Sequence, residues 1–192
     1  MKLFRSAFIT GHPTAGKTWL AKKVCERTGA IHVGLDDLRA GMMEDSKLRS
    51  WARFFLDLDE RGYWRDNSCQ QHWTNVVAQA EAFWPVYRGR IQEILKDQSP
   101  AVFESIALLP HLVVRELSLP GICLSLTSFR DVLERSMRAP RWEATRELQE
   151  IESHMIYECE RPAYEREAEK HGVPVFTDVL LAEEALVEMM IK

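Results

Sequence analysis

Phe8-Ile9-Thr10-Gly11-His12-Pro13-Thr14-Ala15-Gly16-Lys17-Thr18 decides the reading of this chain, because the eight residues from Gly11 follow the pattern GxxxxGKT. An apolar run from Leu3 to Ile9, with Arg5 and Ser6 inside it, leads in. Trp19-Leu20-Ala21-Lys22-Lys23-Val24 leads out in residues that favour helix. The setting is strand, loop, helix, which is what phosphate binding requires. Gly11 and Gly16 let backbone amides face a phosphate, and a helix opening near Gly16 adds the positive end of its dipole. Lys17 then reaches the outer phosphates and the Thr18 hydroxyl ligates magnesium. His12, Pro13, Thr14 and Ala15 fill the variable positions, where His12 and Pro13 tune the loop's shape. With Trp19 directly after the motif, Gly11 to Trp19 form the candidate nucleotide-binding segment. The alternative is a glycine-rich turn of no function. Two glycines, Lys and Thr in register at a strand-to-helix boundary argue against it.

The 192 residues suffice for one domain with a substantial core, and one domain spanning 1–192 is expected. A hydrophobic fraction of 46% with 28% charged residues is ordinary for a globular chain, and no apolar run is long enough to span a bilayer. The start, Met1 to Thr10, reads as a first buried strand rather than a signal peptide, since it runs without a cleavage-like gap into the loop. Cys25, Cys69, Cys123 and Cys159 are widely scattered. An ATP-using chain belongs in a reducing cytoplasm, so all four are expected to be free thiols. A net charge of -4 argues against broad nucleic-acid binding, which needs a basic face.

After a first helix ending at Thr28-Gly29, Ala30 to Leu35 reads as a second strand that runs into Asp36-Asp37-Leu38-Arg39. Ligands of open α/β sheets bind at the carboxyl ends of strands, and the aspartates stand there, although both could equally cap a helix. Asp36, Asp37 and Arg39 are therefore candidate substrate residues. A GxxxxGKT loop followed about twenty residues on by a strand ending in DDLR resembles the kinase branch of the P-loop proteins. That group includes the polynucleotide kinase domain, chloramphenicol phosphotransferase, the zeta-toxin group and 2-phosphoglycerate-kinase-like proteins. The resemblance implies that Asp36 is the base that accepts a substrate hydroxyl proton. It also implies a P-loop NTPase fold: an α/β architecture whose five-stranded parallel sheet has the order 2-3-1-4-5, with helices on both faces.

Residues 46–84 lie outside that resemblance. Trp51, Trp64, Trp73 and Trp84 fall here with Phe54, Phe55 and Tyr63. The segment reads as an inserted helical cap on the substrate side, whose rings fill its own core, line a pocket, or do both. Cys69 and His72 form a lone CxxH half-site with no second pair at zinc-ligand spacing.

From Asn75 the positions Val76, Ala80, Phe83, Tyr87, Ile91 and Ile94 mark a long amphipathic helix that Pro85 should kink or divide. Ala101 to Ile106 reads as a third strand carrying Glu104, placed to meet the magnesium directly or through water or to hold the substrate, with a partly exposed strand-end glutamate as the alternative. Leu108-Leu109-Pro110 resembles the loop after the equivalent strand in the 2-phosphoglycerate-kinase-like group. Gly121 to Leu126 is a fourth strand, and Thr127-Ser128 offers a cap for a helix with Arg135 and Arg138 on one face. The Arg138-x-x-Arg141 spacing resembles the arginine-bearing lid of the same kinases, here 127–145, which implies that both side chains close over the transferring phosphate. Surface pairing with Glu134, Glu143 or Glu147 is the alternative. Leu148, Ile151, Met155 and Cys159 mark a further helix, restarted at Pro162. Val173 to Phe176 suits an edge strand, with Thr177-Asp178 placed to approach adenine or ribose, and Glu183 to Ile191 a final helix.

The expected activity is ATP- and magnesium-dependent phosphoryl transfer to a hydroxyl of a small molecule, with Lys17, Asp36, Arg138 and Arg141 as the catalytic set. An NTP-hydrolysing switch and a toxin-like or nucleic-acid-end kinase are the competing readings. The acceptor, ATP against GTP, and the oligomeric state stay open.

Overall fold

The computed structural model describes residues 5–140 and 145–191. Strands β1 (Ala7–Thr10), β2 (Ile31–Gly34), β3 (Ala101–Glu104), β4 (Gly121–Leu124) and β5 (Val175–Phe176) form one parallel sheet in the order β2-β3-β1-β4-β5. This is the expected fold class and strand order. The register brings Ile9 opposite Glu104 on one side and Ile122 on the other, so the loop after β1 leaves the middle of the sheet.

Successive residues of a strand face opposite sides, and both sides of β1, β3 and β4 are buried, which explains their continuous apolar runs. Ala7, Ile9, Val102, Ile122 and Leu124 pack beneath α1 (Lys17–Thr28) and α10 (Val179–Met190). Phe8, Phe103 and Cys123 face the other way, toward α5 (Cys69–Lys96), α6 (Pro110–Leu117) and α9 (Arg161–Lys170). Between β2 and α5 run a 3-10 turn (Leu35–Leu38), α2 (Arg39–Glu44), α3 (Arg49–Phe54) and α4 (Glu60–Asp66). After β4 come α7 (Phe129–Arg138), α8 (Arg146–Met155) and a π-helical turn (Ile156–Glu160) that leads straight into α9.

Several expectations need correction. The long helix starts at Cys69, not near Asn75, because Ser68 and Gln71 form a reciprocal capping box. Pro85 does not divide it. An interior proline costs about 3 kcal/mol, whereas each large side chain buried from this helix returns about 1.5–3 kcal/mol. Phe83, Trp84, Tyr87, Ile91 and Ile94 are all buried, so packing prevails. The stretch after Leu109 is the start of α6, with Pro110 at its first turn where no amide donor is needed. Pro162 does not restart a broken helix either, since α8, the π turn and α9 are contiguous.

The expectation of four free thiols is also overturned. Cys69 and Cys159, 90 residues apart in sequence, are joined as a disulfide with their Cα atoms 4.9 Å apart. The first turn of α5 packs on the π turn and brings the two together. Cys25 and Cys123 remain free thiols. Among the described residues, no helix is long and apolar enough to cross a membrane.

Candidate active site

The GxxxxGKT segment forms the turn between β1 and α1. Gly11 (φ 135°), Thr14 (φ 63°) and Gly16 (φ 100°) occupy left-handed backbone, and a Cβ on Gly11 would stand 2.1 Å from the Leu124 carbonyl oxygen. Only glycine fits at that position, because its backbone lies directly on the end of β4. Gly16 caps α1 without any side-chain hydrogen bond, so the first amides of the helix face the loop's hollow.

Lys17 is nearly buried and donates from Nζ to the carbonyls of Gly11 and His12, both at 2.9 Å. The ammonium is thereby parked across the loop. His12 lies beneath it, fully buried, with Nδ1 donating to the Pro13 carbonyl at 2.6 Å. Burial, reinforced by the Lys17 charge, lowers the His12 pKa to about 4, so the imidazole is a neutral support.

Thr18 and Glu104 meet at the loop's edge. The Thr18 hydroxyl donates to Glu104 Oε1 at 3.0 Å, and His32 Nε2 contacts the same oxygen at 3.2 Å. Two hard oxygen donors at that separation beside a phosphate loop suit a magnesium ion that keeps most of its waters. Among the described residues, no group of three or more His, Cys, Asp or Glu is placed to hold a metal. The Cys69-x-x-His72 half-site is spent elsewhere, with Cys69 in the disulfide and His72 on Glu160.

Asp36 lies in the 3-10 turn directly after β2. Its Oδ1 accepts from Ser105 Oγ at 2.6 Å and, more distantly, from the Tyr87 hydroxyl at 3.4 Å. Burial and then the Asp36 charge push the Tyr87 phenol upward, which keeps it a donor. Asp37 turns back toward β2. Its Oδ2 and Glu104 Oε1 lie 3.6 and 3.3 Å from where a Cβ on Gly34 would stand.

Arg39 points the other way, into a cavity of about 260 Å³ whose wall also includes Pro13, Phe55, Trp64, Gln79, Ala107, Glu160 and Tyr164. Pro13 belongs to the loop, and Ser105, the Asp36 partner, also accepts from the amide of Ala107. The cavity thus borders the loop, and its wall at Ile106 and Ala107 follows directly on Ser105, the partner of Asp36. Phe55 and Trp64 come from the aromatic segment, where they pack with Phe54, Tyr63 and His72. Cap core and pocket wall are the same rings.

A second cavity of about 470 Å³ opens on the opposite side of the loop, lined by Gly16, Trp19, Leu124, Arg135, Thr177 and Val179 among others. Trp19 and Thr177 both line it, whereas Asp178 caps α10 through the amides of Leu180 and Leu181. The arginine on the loop is Arg135, whose Nη1 donates to the carbonyls of Thr14 and Ala15 at 2.9 and 3.0 Å. Arg138 is 79% exposed and 4.0 Å from Glu134, away from the loop. Arg141 lies outside the described residues.

The geometry also adds residues that sequence reasoning did not select: Arg135, Ser105, Tyr87, Gln79 and Glu160. Arg135 had a signal, because it shares a helical face with Arg138 one turn nearer the loop. The others carry none, since they come together only through folding.

Comparison of the sequence with protein-family models gives no match, and comparison with curated proteins gives none. Solved structures do match. TT1252 from Thermus thermophilus superposes with a TM-score of 0.54 at 20% identity, covering 97% of this chain and 96% of that one. Shikimate kinase from Bacteroides thetaiotaomicron superposes with a TM-score of 0.50 at 17% identity, covering 96% and 95%. This is a P-loop NTPase fold. Both likenesses run the length of the chain, so one fold accounts for the sheet, the loop and the helices around them together.

Proposed function

We propose that the protein transfers the γ-phosphoryl group of ATP to a hydroxyl of a small molecule. The observation that carries this reading is the placement of Asp36, anchored by Ser105 next to the Ile106–Ala107 wall of a cavity that borders the phosphate loop. An NTP-hydrolysing switch needs neither an acceptor cavity nor an oriented carboxylate near it. The likeness to a shikimate kinase, a kinase named for a small hydroxylated acid, agrees with it.

In this reading the amides of residues 11–18 cradle the phosphates, and Lys17 swings from the Gly11 and His12 carbonyls to the β- and γ-phosphate oxygens. Magnesium, when bound, neutralises charge on those oxygens, and Thr18 with Glu104 would hold it. The cavity beside Trp19 and Thr177 takes the base. The aromatic segment, residues 46–84, closes the acceptor side and excludes water. Asp36 accepts a hydrogen bond from the acceptor hydroxyl, aligns it and takes its proton. Arg135 braces the loop in the ground state, while Arg138 and Arg141 close over the transferring group, as the family resemblance implies.

The test is incubation of a pooled metabolite extract with labelled ATP, followed by identification of labelled products. A labelled small molecule is expected. Label appearing only in free phosphate would reject the transfer reading in favour of a hydrolase.

Two substitutions divide the roles. Asp36→Asn should reduce transfer by about 10²–10⁴-fold, the usual contribution of a positioned acid or base, while ATP affinity stays within about twofold. Asparagine still accepts from Ser105 but cannot take a proton. A full-rate Asp36→Asn enzyme, or one that has lost ATP binding instead, counts against the assignment. Arg135→Ala should weaken ATP binding by about tenfold, because two charge-assisted bonds that shape the loop disappear. Arg138→Ala should instead lower kcat more than it weakens ATP binding. Nucleotide titrations and steady-state rates on both variants decide it, and equal effects on binding would remove the distinction.

A further inference from the structure

Asp36 can serve as a base only if one of its oxygens is aimed at the acceptor. Three elements meet around it. Gly34 of β2 pairs with Glu104 of β3, so the chains leaving these two strands run side by side, Asp36 on one and Ser105 on the other. Tyr87 reaches the same point from α5, where it is buried.

The partners fix where the hydrogens lie. The amide of Ala107 donates to Ser105 Oγ at 2.9 Å, and an ionised carboxylate has no hydrogen to give. The single Ser105 hydrogen therefore goes to Asp36 Oδ1, at 2.6 Å. The Tyr87 hydroxyl donates to the same oxygen at 3.4 Å, a longer and weaker contact, and burial keeps that phenol protonated. Ser105 and Tyr87 are both buried, so packing holds the two donors in place. Asp36 itself is exposed, and among the described residues no donor reaches its Oδ2. One oxygen is occupied and the other faces the acceptor's side.

Glu104 and Ser105 are successive residues with different partners. Glu104 Oε1 takes the Thr18 hydroxyl, and Ser105 takes Asp36. The end of β3 thus ties the phosphate loop and the aspartate to one piece of backbone.

We infer that Ser105 and Tyr87 are positioning residues, which hold Asp36 by Oδ1 so that Oδ2 meets the acceptor hydroxyl. The inference rests on the kinase reading for the identity of that hydroxyl. In the step it serves, the acceptor O–H bond breaks and its proton passes to Oδ2, while the acceptor oxygen forms a bond to the γ-phosphorus. The bond from that phosphorus to the β,γ-bridging oxygen breaks, and its electron pair leaves on ADP. Without the two hydroxyls the carboxylate turns about its last torsion, and a bound acceptor is poorly aimed.

The test runs single turnovers with excess protein, γ-labelled ATP and a pooled metabolite extract as the source of acceptor. The extract dilution that gives the half-maximal rate reports acceptor binding, and titration with a non-hydrolysable ATP analogue reports nucleotide binding. Ser105→Ala should slow transfer by about 10–100-fold and Tyr87→Phe by about 3–10-fold, with both measures of binding within about threefold. Beside Asp36→Asn each change should cost less than about twofold more, because no base is left to aim. A role in folding alone would instead multiply through both backgrounds. Ser105→Ala also deprives the Ala107 amide of its acceptor, so thermal melting checks that variant. If it does not fold, Tyr87→Phe, whose ring keeps its contact with Phe83, carries the test. Full-rate transfer by either folded variant, losses that repeat undiminished beside Asp36→Asn, or a shift in half-maximal dilution in place of rate would each overturn the inference. Label released only as free phosphate by the unsubstituted protein would reject transfer to a hydroxyl compound. The same cycle is then read on phosphate release, where coupled losses support the positioning of Asp36 toward water and independent losses overturn it.

Discussion

Lys17→Ala is expected to lower phosphoryl transfer by about 10²–10³-fold, the loss seen when one preorganised donor to a transition state is removed. The side chain is nearly buried and donates to two carbonyls of its own loop. It is stored against the site rather than packed into the core. Affinity for ATP should fall less, by the contribution of one charge-assisted bond, about 1.5–3 kcal/mol. The change also removes a cation that depresses His12, which remains buried beneath the loop. Thermal melting and nucleotide titration separate the outcomes. A folded Lys17→Ala protein that turns over at the full rate would take the loop out of the mechanism.

Loss of the Cys69–Cys159 bridge should be the largest single effect on stability. The bridge closes a loop of 90-residue separation, and the chain-entropy relation assigns such a loop on the order of 4 kcal/mol. Cys69→Ser with Cys159→Ser should therefore shift urea unfolding to a lower midpoint, and a dithiol reductant should do the same to the unsubstituted protein. The bridge joins the two elements that hold His72 and Glu160, so acceptor KM should rise while ATP affinity stays constant. A urea midpoint unmoved by reduction would mean that the linkage adds nothing to folding.

The frame of the molecule was legible in the sequence because its signals are local. A strand, a glycine-bearing loop and a helix follow in order from Phe8, and each later strand is an apolar run bounded by turn residues. Asp36 and Glu104 were findable for the same reason, since each stands at the end of such a run. The family resemblance supplied the strand order, which no run of residues encodes. The acceptor cavity was not legible. Its wall draws on Pro13, Arg39, Phe55, Gln79, Ala107 and Glu160, six positions spread over most of the chain. The disulfide escaped for the same reason, because a separation of 90 residues carries no pairing signal. Arg138 was chosen over Arg135 on motif spacing, while the distance from α7 to the loop favours the residue one turn earlier.

The π-helical turn at Ile156–Glu160 acts as a phase shifter. Arg161 donates to the Ile156 carbonyl five residues back, one more than the α ladder allows, and Pro162 directly after it has no amide to donate. Upstream, α8 faces α7 and α4; downstream, α9 turns Tyr164 and Ala168 into the sheet's core. One residue of helix is about 100° of azimuth, so an unbroken α-helix would aim one of these two faces wrongly. Cys159 and Glu160 fall where the phase is adjusted. Winding this turn as α-helix at unchanged length would rotate the rod beyond it by that angle, disengaging the bridge and the cavity carboxylate in a single step.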